Sequence, residues 1–116
     1  MSEAVLPITH RSAYRIMWML TMFDLPVVHK AERKEATRFR QDLLDLGFEM
    51  AQFSVYMRCC VSRERCDALV EKIRGALPSG GKVSILIFTD KQYENMVHFF
   101  ARKEQPTSEE SQLALF

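Results

Sequence analysis

The fold of this chain is decided by the stretch Ile16-Met17-Trp18-Met19-Leu20-Thr21-Met22-Phe23-Asp24-Leu25-Pro26. The run 16–23 is almost wholly apolar, and Pro26 closes it. Because proline cannot supply the next backbone donor and the run is short, the pattern predicts a buried β-strand rather than a helix. Asp24 then lies at the carboxyl end of that strand. An acid in this position is often a turn former or a helix cap, so its function depends on the rest of the chain.

This first strand is apolar on both of its faces. Its alternate side chains are Ile16, Trp18, Leu20 and Met22 on one face, and Met17, Met19 and Phe23 on the other. Two apolar faces indicate that both faces are covered. Too little chain remains for a second layer of helices, so we predict a homodimer in which the two sheets pack face to face. The alternative is a terminal helix that folds across the open face.

Length and composition indicate one globular domain. The chain has 116 residues, 47% of them hydrophobic and 27% charged, and no apolar stretch reaches the roughly 18 residues of a membrane span. The net charge of +1 neither requires nor excludes nucleic acid. Residues 1–13 lack a basic start followed by an apolar core, which predicts a flexible arm rather than a signal peptide.

The three cysteines, Cys59, Cys60 and Cys66, are odd in number and include an adjacent pair. They match neither a disulfide framework nor a zinc-binding spacing. We therefore expect a reducing, cytoplasmic setting.

The middle of the chain predicts a helix followed by one or two strands. Residues 30–46 place apolar side chains three and four apart, and Gly47 is a natural helix end. Residues 53–61 alternate with the period of a half-buried strand, and 48–52 could form a separate short strand.

The following segment predicts another helix and strand. Ser62 can cap a helix that lasts until about Leu77, and residues 83–88 form a strand of mostly branched and aromatic residues. The sequence 89–92 has the form of a capping box, which predicts a third helix up to about Arg102. The resulting order is that of an α+β ferredoxin-like split βαβ sandwich with an extra C-terminal helix.

The C-terminal region is predicted to be a linker and a docking strand. Residues 14–101 form the ferredoxin-like domain, 102–111 are a polar linker, and 112–116 become apolar again. A short strand added to a sheet edge would bury this terminus, on the same protomer or on its partner. The candidate residues for dimer formation or strand docking are Phe53, Leu113, Leu115 and Phe116.

Asp24 is the candidate catalytic and metal-binding residue. If two copies stack through their first strands, their Asp24 carboxylates could approach each other across the twofold axis. Paired carboxylates suit Mg²⁺ or Mn²⁺, which prefer oxygen ligands and retain water. No Ser-His-Asp or Cys-His arrangement, P-loop or GxGxxG motif accompanies it.

The helix over 30–46 begins with an excess of positive charge. The basic side chains that could contact the phosphate backbone of a nucleic acid are Lys30, Arg33, Lys34, Arg38 and Arg40. The alternative is a solvated helix face with acid–base pairs. Ser54 and Tyr56, assigned to the polar side of the following strand, could also meet a phosphate.

Three segments carry a family resemblance. They are Met22-Phe23-Asp24-Leu25-Pro26, Lys30-Ala31-Glu32-Arg33-Lys34 and Gly47-Phe48-Glu49-Met50-Ala51-Gln52-Phe53-Ser54-Val55-Tyr56. Together they resemble the CRISPR-associated protein 2 family, over residues 14–101. The segments 89–93 and 112–116 are similar to longer members from type II CRISPR systems.

The resemblance implies a ferredoxin-like homodimer whose C-terminal strand often extends the partner's sheet. It also implies a structural role in CRISPR adaptation, in which the dimer bridges the CRISPR integrase, CRISPR-associated protein 1, and holds duplex DNA. Some members are described as Mg²⁺-dependent endonucleases on RNA or DNA, with the acid matching Asp24 as metal ligand. In others that acid is dispensable for integration. Lys30 and Arg33 lie where members carry basic side chains.

Three functions are therefore compared. The first is a duplex-DNA-binding subunit of the spacer-acquisition complex, and the second is a metal-dependent, toxin-like endoribonuclease acting on single-stranded RNA. The third is a non-enzymatic RNA-binding or ligand-sensing module. The third is disfavoured because the chain lacks the aromatic signature of RNA-recognition strands and a CxxC motif.

Overall fold

The computed structural model describes residues 16–101. The elements are β1 (Met17–Asp24), α1 (Lys30–Asp45), β2 (Glu49–Gln52), β3 (Val55–Cys60), α2 (Arg63–Gly75), β4 (Lys82–Thr89) and α3 (Asp90–Glu94). The predicted N-terminal arm, polar linker and C-terminal docking strand lie outside the described residues, and so do Leu113, Leu115 and Phe116. No helix within 16–101 is long and apolar enough to cross a membrane.

The four strands form one antiparallel sheet in the order β2-β3-β1-β4. The apolar strand β1 lies between β3 and β4, and its register with β4 runs from Met17 opposite Thr89 to Asp24 opposite Lys82. This order and the βαββαβ sequence of elements confirm the predicted ferredoxin-like fold.

The hydrophobic core lies between the sheet and the two long helices. On this side of β1, Met19 and Thr21 are fully buried and Phe23 is nearly so. The ring of Phe23 packs edge-on against Phe39 of α1, with 5.3 Å between ring centroids. The Thr21 hydroxyl is buried without a hydrogen-bond partner, so this core contains one uncompensated polar group in the described region.

Both long helices begin where the sequence predicts and end within two residues of the predicted positions. At the start of α1, the Glu32 carboxylate accepts a hydrogen bond from the His29 backbone N–H at 2.9 Å. Ser62 caps α2 by accepting from the Arg65 N–H at 3.2 Å. After α1, Gly47 adopts a φ of +90°, a left-handed conformation that favours glycine. Local capping chemistry therefore sets these boundaries.

The orientation predicted for β3 was wrong. Tyr56 is 3% exposed and faces the helices, where its ring lies 5.6 Å from that of Phe23. Val55 and Met57 instead lie on the other face of the sheet. The turn between β2 and β3 contains Ser54, which has a φ of 63°. Because Tyr56 is buried in the core, it cannot contact a phosphate. Its ring is buried because packing of the ring stabilises the fold more than exposure of the hydroxyl would.

Two of the cysteines also belong to this core. Cys60 and Cys66 are buried and free, whereas Cys59 is exposed and free. Burial, followed by a hydrogen bond with Cys66, raises the pKa of the Cys60 thiol to about 12. A buried thiol that stays protonated behaves as a small apolar side chain, which is the role Cys60 has here.

The third helix is shorter than predicted. The capping box is present, since the Thr89 hydroxyl accepts from the Gln92 N–H at 3.1 Å, but α3 ends at Glu94. Residues 96–101 are not helical, and Phe99 among them is 91% exposed. A short helix is stabilised mainly by the packing of its apolar side chains. Within residues 16–101, no other part of the chain buries the apolar side chains of 96–101 in the way that a helix there would need.

Candidate functional site

Asp24 lies at the carboxyl end of β1 with its side chain exposed. It belongs to the face of the sheet opposite the helices, together with Met22 and Leu20. Leu25 and Pro26 follow it and lead toward α1. The structure therefore places Asp24 where the sequence predicts, at an accessible strand end.

The loop before β4 packs directly against the backbone of Asp24. Gly81 has a φ of +90°, and a Cβ atom on it would lie 2.6 Å from the Asp24 carbonyl oxygen and 2.9 Å from Leu25 Cδ2. Only a residue without a side chain fits so close to the strand. The sequence 78–81 signalled a break in the chain, but its contact with Asp24 could not be read from it.

Lys82 is the neighbour of Asp24 on β4. Their Cα atoms are partners in the register, so both side chains project from the same face of the sheet. Both residues are exposed, and neither forms a salt bridge within residues 16–101. Sequence reasoning missed Lys82, because its proximity to Asp24 arises only from strand pairing across 58 positions.

The Asp24 carboxylate offers oxygen atoms of the kind that Mg²⁺ binds. Between residues 16 and 101, no three His, Cys, Asp or Glu side chains are grouped so as to hold a metal ion. Mg²⁺ is commonly held by one or two carboxylates while it keeps several waters and binds phosphate oxygens. The described residues therefore do not complete a metal centre around Asp24, and its single carboxylate would supply only part of a cation's ligands.

Lys30 and Lys34 are the accessible cations at the start of α1. Both are exposed, and neither takes part in a salt bridge with another described residue. Arg33 is partly engaged, because its Nη1 donates to the carbonyl oxygens of Val27 at 3.2 Å and Val28 at 2.8 Å. Arg33 thus fixes the loop that leads from the Asp24 strand into the helix.

Arg38 is held by its own helix. Its guanidinium pairs with Glu35 at 3.1 Å and with Asp42 at 2.6 Å, and it also donates to the Ala76 carbonyl at 3.2 Å. The hydrogen bond with Glu35 is the main reason why the pKa of Arg38 is raised. Its charge is locally balanced, so Arg38 is a weaker candidate for contact with phosphate than the two lysines.

The sheet face opposite the helices is apolar and mostly uncovered. Leu20 and Met22 are half-buried, and Leu86, opposite Leu20 on β4, is 51% exposed. We call this surface the open face; its members are Trp18, Leu20, Met22, Val55, Met57 and Leu86. An open cavity of about 690 Å³ separates part of it from residues 96–100.

The helix α3 covers only one end of the open face. Trp18 stacks on Tyr93 with ring centroids 4.2 Å apart, and its indole Nε1 donates to Asp90 at 2.8 Å. These contacts anchor α3 beside the start of β1. The five-residue helix is too short to extend over the rest of the surface, so the alternative of a covering terminal helix accounts for one end only.

Phe53 lies at the turn between β2 and β3 and is 62% exposed. Its exposure is compatible with the predicted docking role, which stays a prediction.

The sequence comparisons identify the protein family: the model of the CRISPR associated protein Cas2 family matches residues 17–96, from β1 to just beyond α3. This chain belongs to the Cas2 family.

Two relatives show the extent of the similarity. A Cas2 protein of Paracidovorax avenae, named a CRISPR-associated endoribonuclease, is 58% identical over 95 residues, which cover 82% of this chain and 88% of the relative. A Cas2 protein of Flavobacterium psychrophilum with the same name is 45% identical over 109 residues, covering 93% and 95%. The resemblance noted from the sequence is thereby confirmed.

A crystal structure of a Cas2 protein supports the fold. It matches with a TM-score of 0.54 at 20% identity, covering 80% of this chain and 95% of that chain. The ferredoxin-like architecture is thus shared with a solved Cas2 structure.

Proposed function

We propose that this Cas2 chain is a duplex-DNA-binding structural subunit of the CRISPR adaptation complex, acting as a homodimer with the CRISPR integrase, CRISPR-associated protein 1. The observation that carries the proposal is the open face. A soluble monomer rarely leaves a contiguous apolar sheet surface exposed, because its burial lowers the free energy by roughly 25 cal/mol per Å².

A second copy is the occupant that best fits the open face. The surface is formed by neighbouring strands, so two copies can pack their sheets as the layers of a sandwich. Leu20, Met22 and Leu86 would then become buried, and an isologous twofold contact needs no other partner. The sheet of the second copy would also cover the apolar face of β1 that the helices leave open.

Dimer formation would present the basic start of α1 twice. Lys30 and Lys34 are exposed and form no salt bridge with another residue of 16–101, and Arg33 has a second guanidinium nitrogen outside its bonds to Val27 and Val28. Such charges bind phosphates without reading bases. This arrangement suits a protein that holds DNA of any sequence, as capture of foreign DNA requires.

A metal-dependent endoribonuclease is the second candidate function. It is favoured by the names of the relatives and by the exposed carboxylate of Asp24. When bound there, Mg²⁺ or Mn²⁺ would stabilise negative charge on a phosphodiester. Asp24 would hold the cation, while Lys30 and Lys34 would orient the nucleic-acid backbone.

The substitution Asp24→Asn separates the two functions. We expect the affinity for a duplex in EDTA to change less than twofold, because the phosphate contacts come from lysines and the amide is nearly isosteric. Fluorescence anisotropy with a labelled duplex, together with gel filtration with the integrase, measures this. If the unaltered protein binds neither duplex nor integrase at low salt, the structural role is wrong.

The same variant tests the nuclease. If the second function is correct, Mg²⁺-dependent cleavage of single-stranded RNA falls at least 100-fold in Asp24→Asn, while the dimer persists. Cleavage that continues unchanged in the variant would exclude Asp24 as its source.

A further inference from the structure

The pairing of Asp24 with Lys82 produces a locally neutral strand end. Cross-strand neighbours have Cβ atoms about 5 Å apart, close enough for their charges to interact. Gly81 packs closely against the Asp24 carbonyl oxygen, so the backbone before Lys82 is held next to the backbone of Asp24. No salt bridge joins Asp24 and Lys82 in the structure, and each charged group stays accessible to a ligand.

Neither a cation nor a phosphate alone suits this arrangement. A divalent cation at Asp24 is repelled by the ammonium of Lys82, and a phosphate at Lys82 is repelled by the carboxylate of Asp24. A cation with a bound phosphate satisfies both groups, because the carboxylate contacts the cation while the ammonium donates to a phosphate oxygen.

We propose that Asp24 and Lys82 form a joint site that binds a divalent cation and a phosphodiester cooperatively, with Lys82 as the phosphate contact. This inference rests on the proposed cation-binding role of Asp24 and adds Lys82 as a residue that controls it. Cooperativity is reciprocal: the phosphodiester raises the affinity for the cation by the same factor as the cation raises that for the phosphodiester.

Mn²⁺ binding to the full chain tests the joint site. Paramagnetic broadening of the Leu25 and Gly81 amide NMR signals reports binding next to Asp24, with or without a DNA dinucleotide that carries one phosphodiester. In Lys82→Met we expect Mn²⁺ alone to bind roughly three- to tenfold more tightly, because a nearby positive charge is removed. The enhancement by the dinucleotide should disappear.

Two matched variants control for charge and position. Lys82→Arg retains a positive donor and should retain the enhancement by the dinucleotide. Lys91→Met removes an exposed lysine of α3, just beyond the other end of β4, and should behave like the unaltered protein. Equal thermal midpoints by circular dichroism would show that the variants remain folded.

The outcomes distinguish an error in the role of Lys82 from an error in cation binding by Asp24. If Asp24→Asn abolishes the broadening but Lys82→Met changes neither Mn²⁺ affinity nor its enhancement, Asp24 binds the cation and the assignment of Lys82 is wrong. If the broadening survives Asp24→Asn, Asp24 is not the cation ligand, and the joint site fails with it.

Discussion

Replacing Gly81 with alanine should lower the free energy of unfolding by roughly 3 kcal/mol. The added Cβ would lie 2.6 Å from the Asp24 carbonyl oxygen, and the residue would be forced into a φ of +90°. Both effects act on the same backbone junction, so either the loop moves away or the end of β1 shifts. Chemical denaturation followed by circular dichroism measures the loss.

Gly80→Ala is the matched control for this prediction. A Cβ on Gly80 would meet only Pro26 Cγ, at an ordinary contact distance of 3.6 Å. We expect a change within about 0.5 kcal/mol, as for most surface substitutions. Equal stability of the Gly81→Ala and Gly80→Ala proteins would contradict the close packing of this loop against Asp24.

Replacing Leu86 with glutamate should weaken the homodimer at least 100-fold. In the proposed dimer each copy would place an unpaired carboxylate in an apolar interface, at a cost of several kcal/mol. The monomer should keep its fold, because Leu86 is 51% exposed and lies outside the helix-side core. Sedimentation velocity over a range of concentrations measures the dissociation constant.

Leu44→Glu provides the control, since Leu44 lies on α1 and is exposed to a similar extent, 45%. It should remain as dimeric as the unaltered protein. A Leu86→Glu protein that sediments as a dimer would show that the open face is not the interface, and the structural basis of the proposed function would be lost.

Local sequence patterns were sufficient to predict most of the fold. The apolar run ending at Asp24, the glycine stop at 47 and the caps at Ser62 and Thr89 all act through near neighbours in the chain. Such interactions can be read from residue order. The apolar run therefore located β1, and the glycine stop and the caps located both long helices and the start of α3.

The errors arose where distant packing determines the result. The alternation in β3 identified a strand but could not tell which face meets the helices, and the ring of Tyr56 takes the core position. The capping box at 89–92 predicted a helix up to about Arg102, although nothing in the described chain covers Val97 or Phe99. Period alone does not specify what a face packs against.

In the candidate site, too, local sequence predicted some features, whereas others depend on contacts between distant parts of the chain. Asp24, Lys30 and Lys34 lie at accessible positions, as their places in the sequence predict. Arg38 is tied to Glu35 and Asp42, which a helical acid–base pattern allowed but did not require. The proximity of Lys82 to Asp24 depends on strand register, which composition and spacing do not encode.

The central claim, duplex binding through the start of α1, is tested most directly by the salt dependence of affinity. Anisotropy titrations in EDTA, from 50 to 300 mM salt, would compare the unaltered protein with the double variant Lys30→Met/Lys34→Met. A matched double variant, Lys72→Met/Lys91→Met, removes two other exposed lysines.

We expect the logarithm of the unaltered protein's affinity to fall linearly with the logarithm of salt concentration. The Lys30→Met/Lys34→Met protein should lose about 0.9 in slope for each phosphate contact removed, up to roughly 3.6 for a dimer. The matched control should keep the full slope. Equal slopes for the two double variants, or no duplex binding at 50 mM salt, would contradict the proposed role.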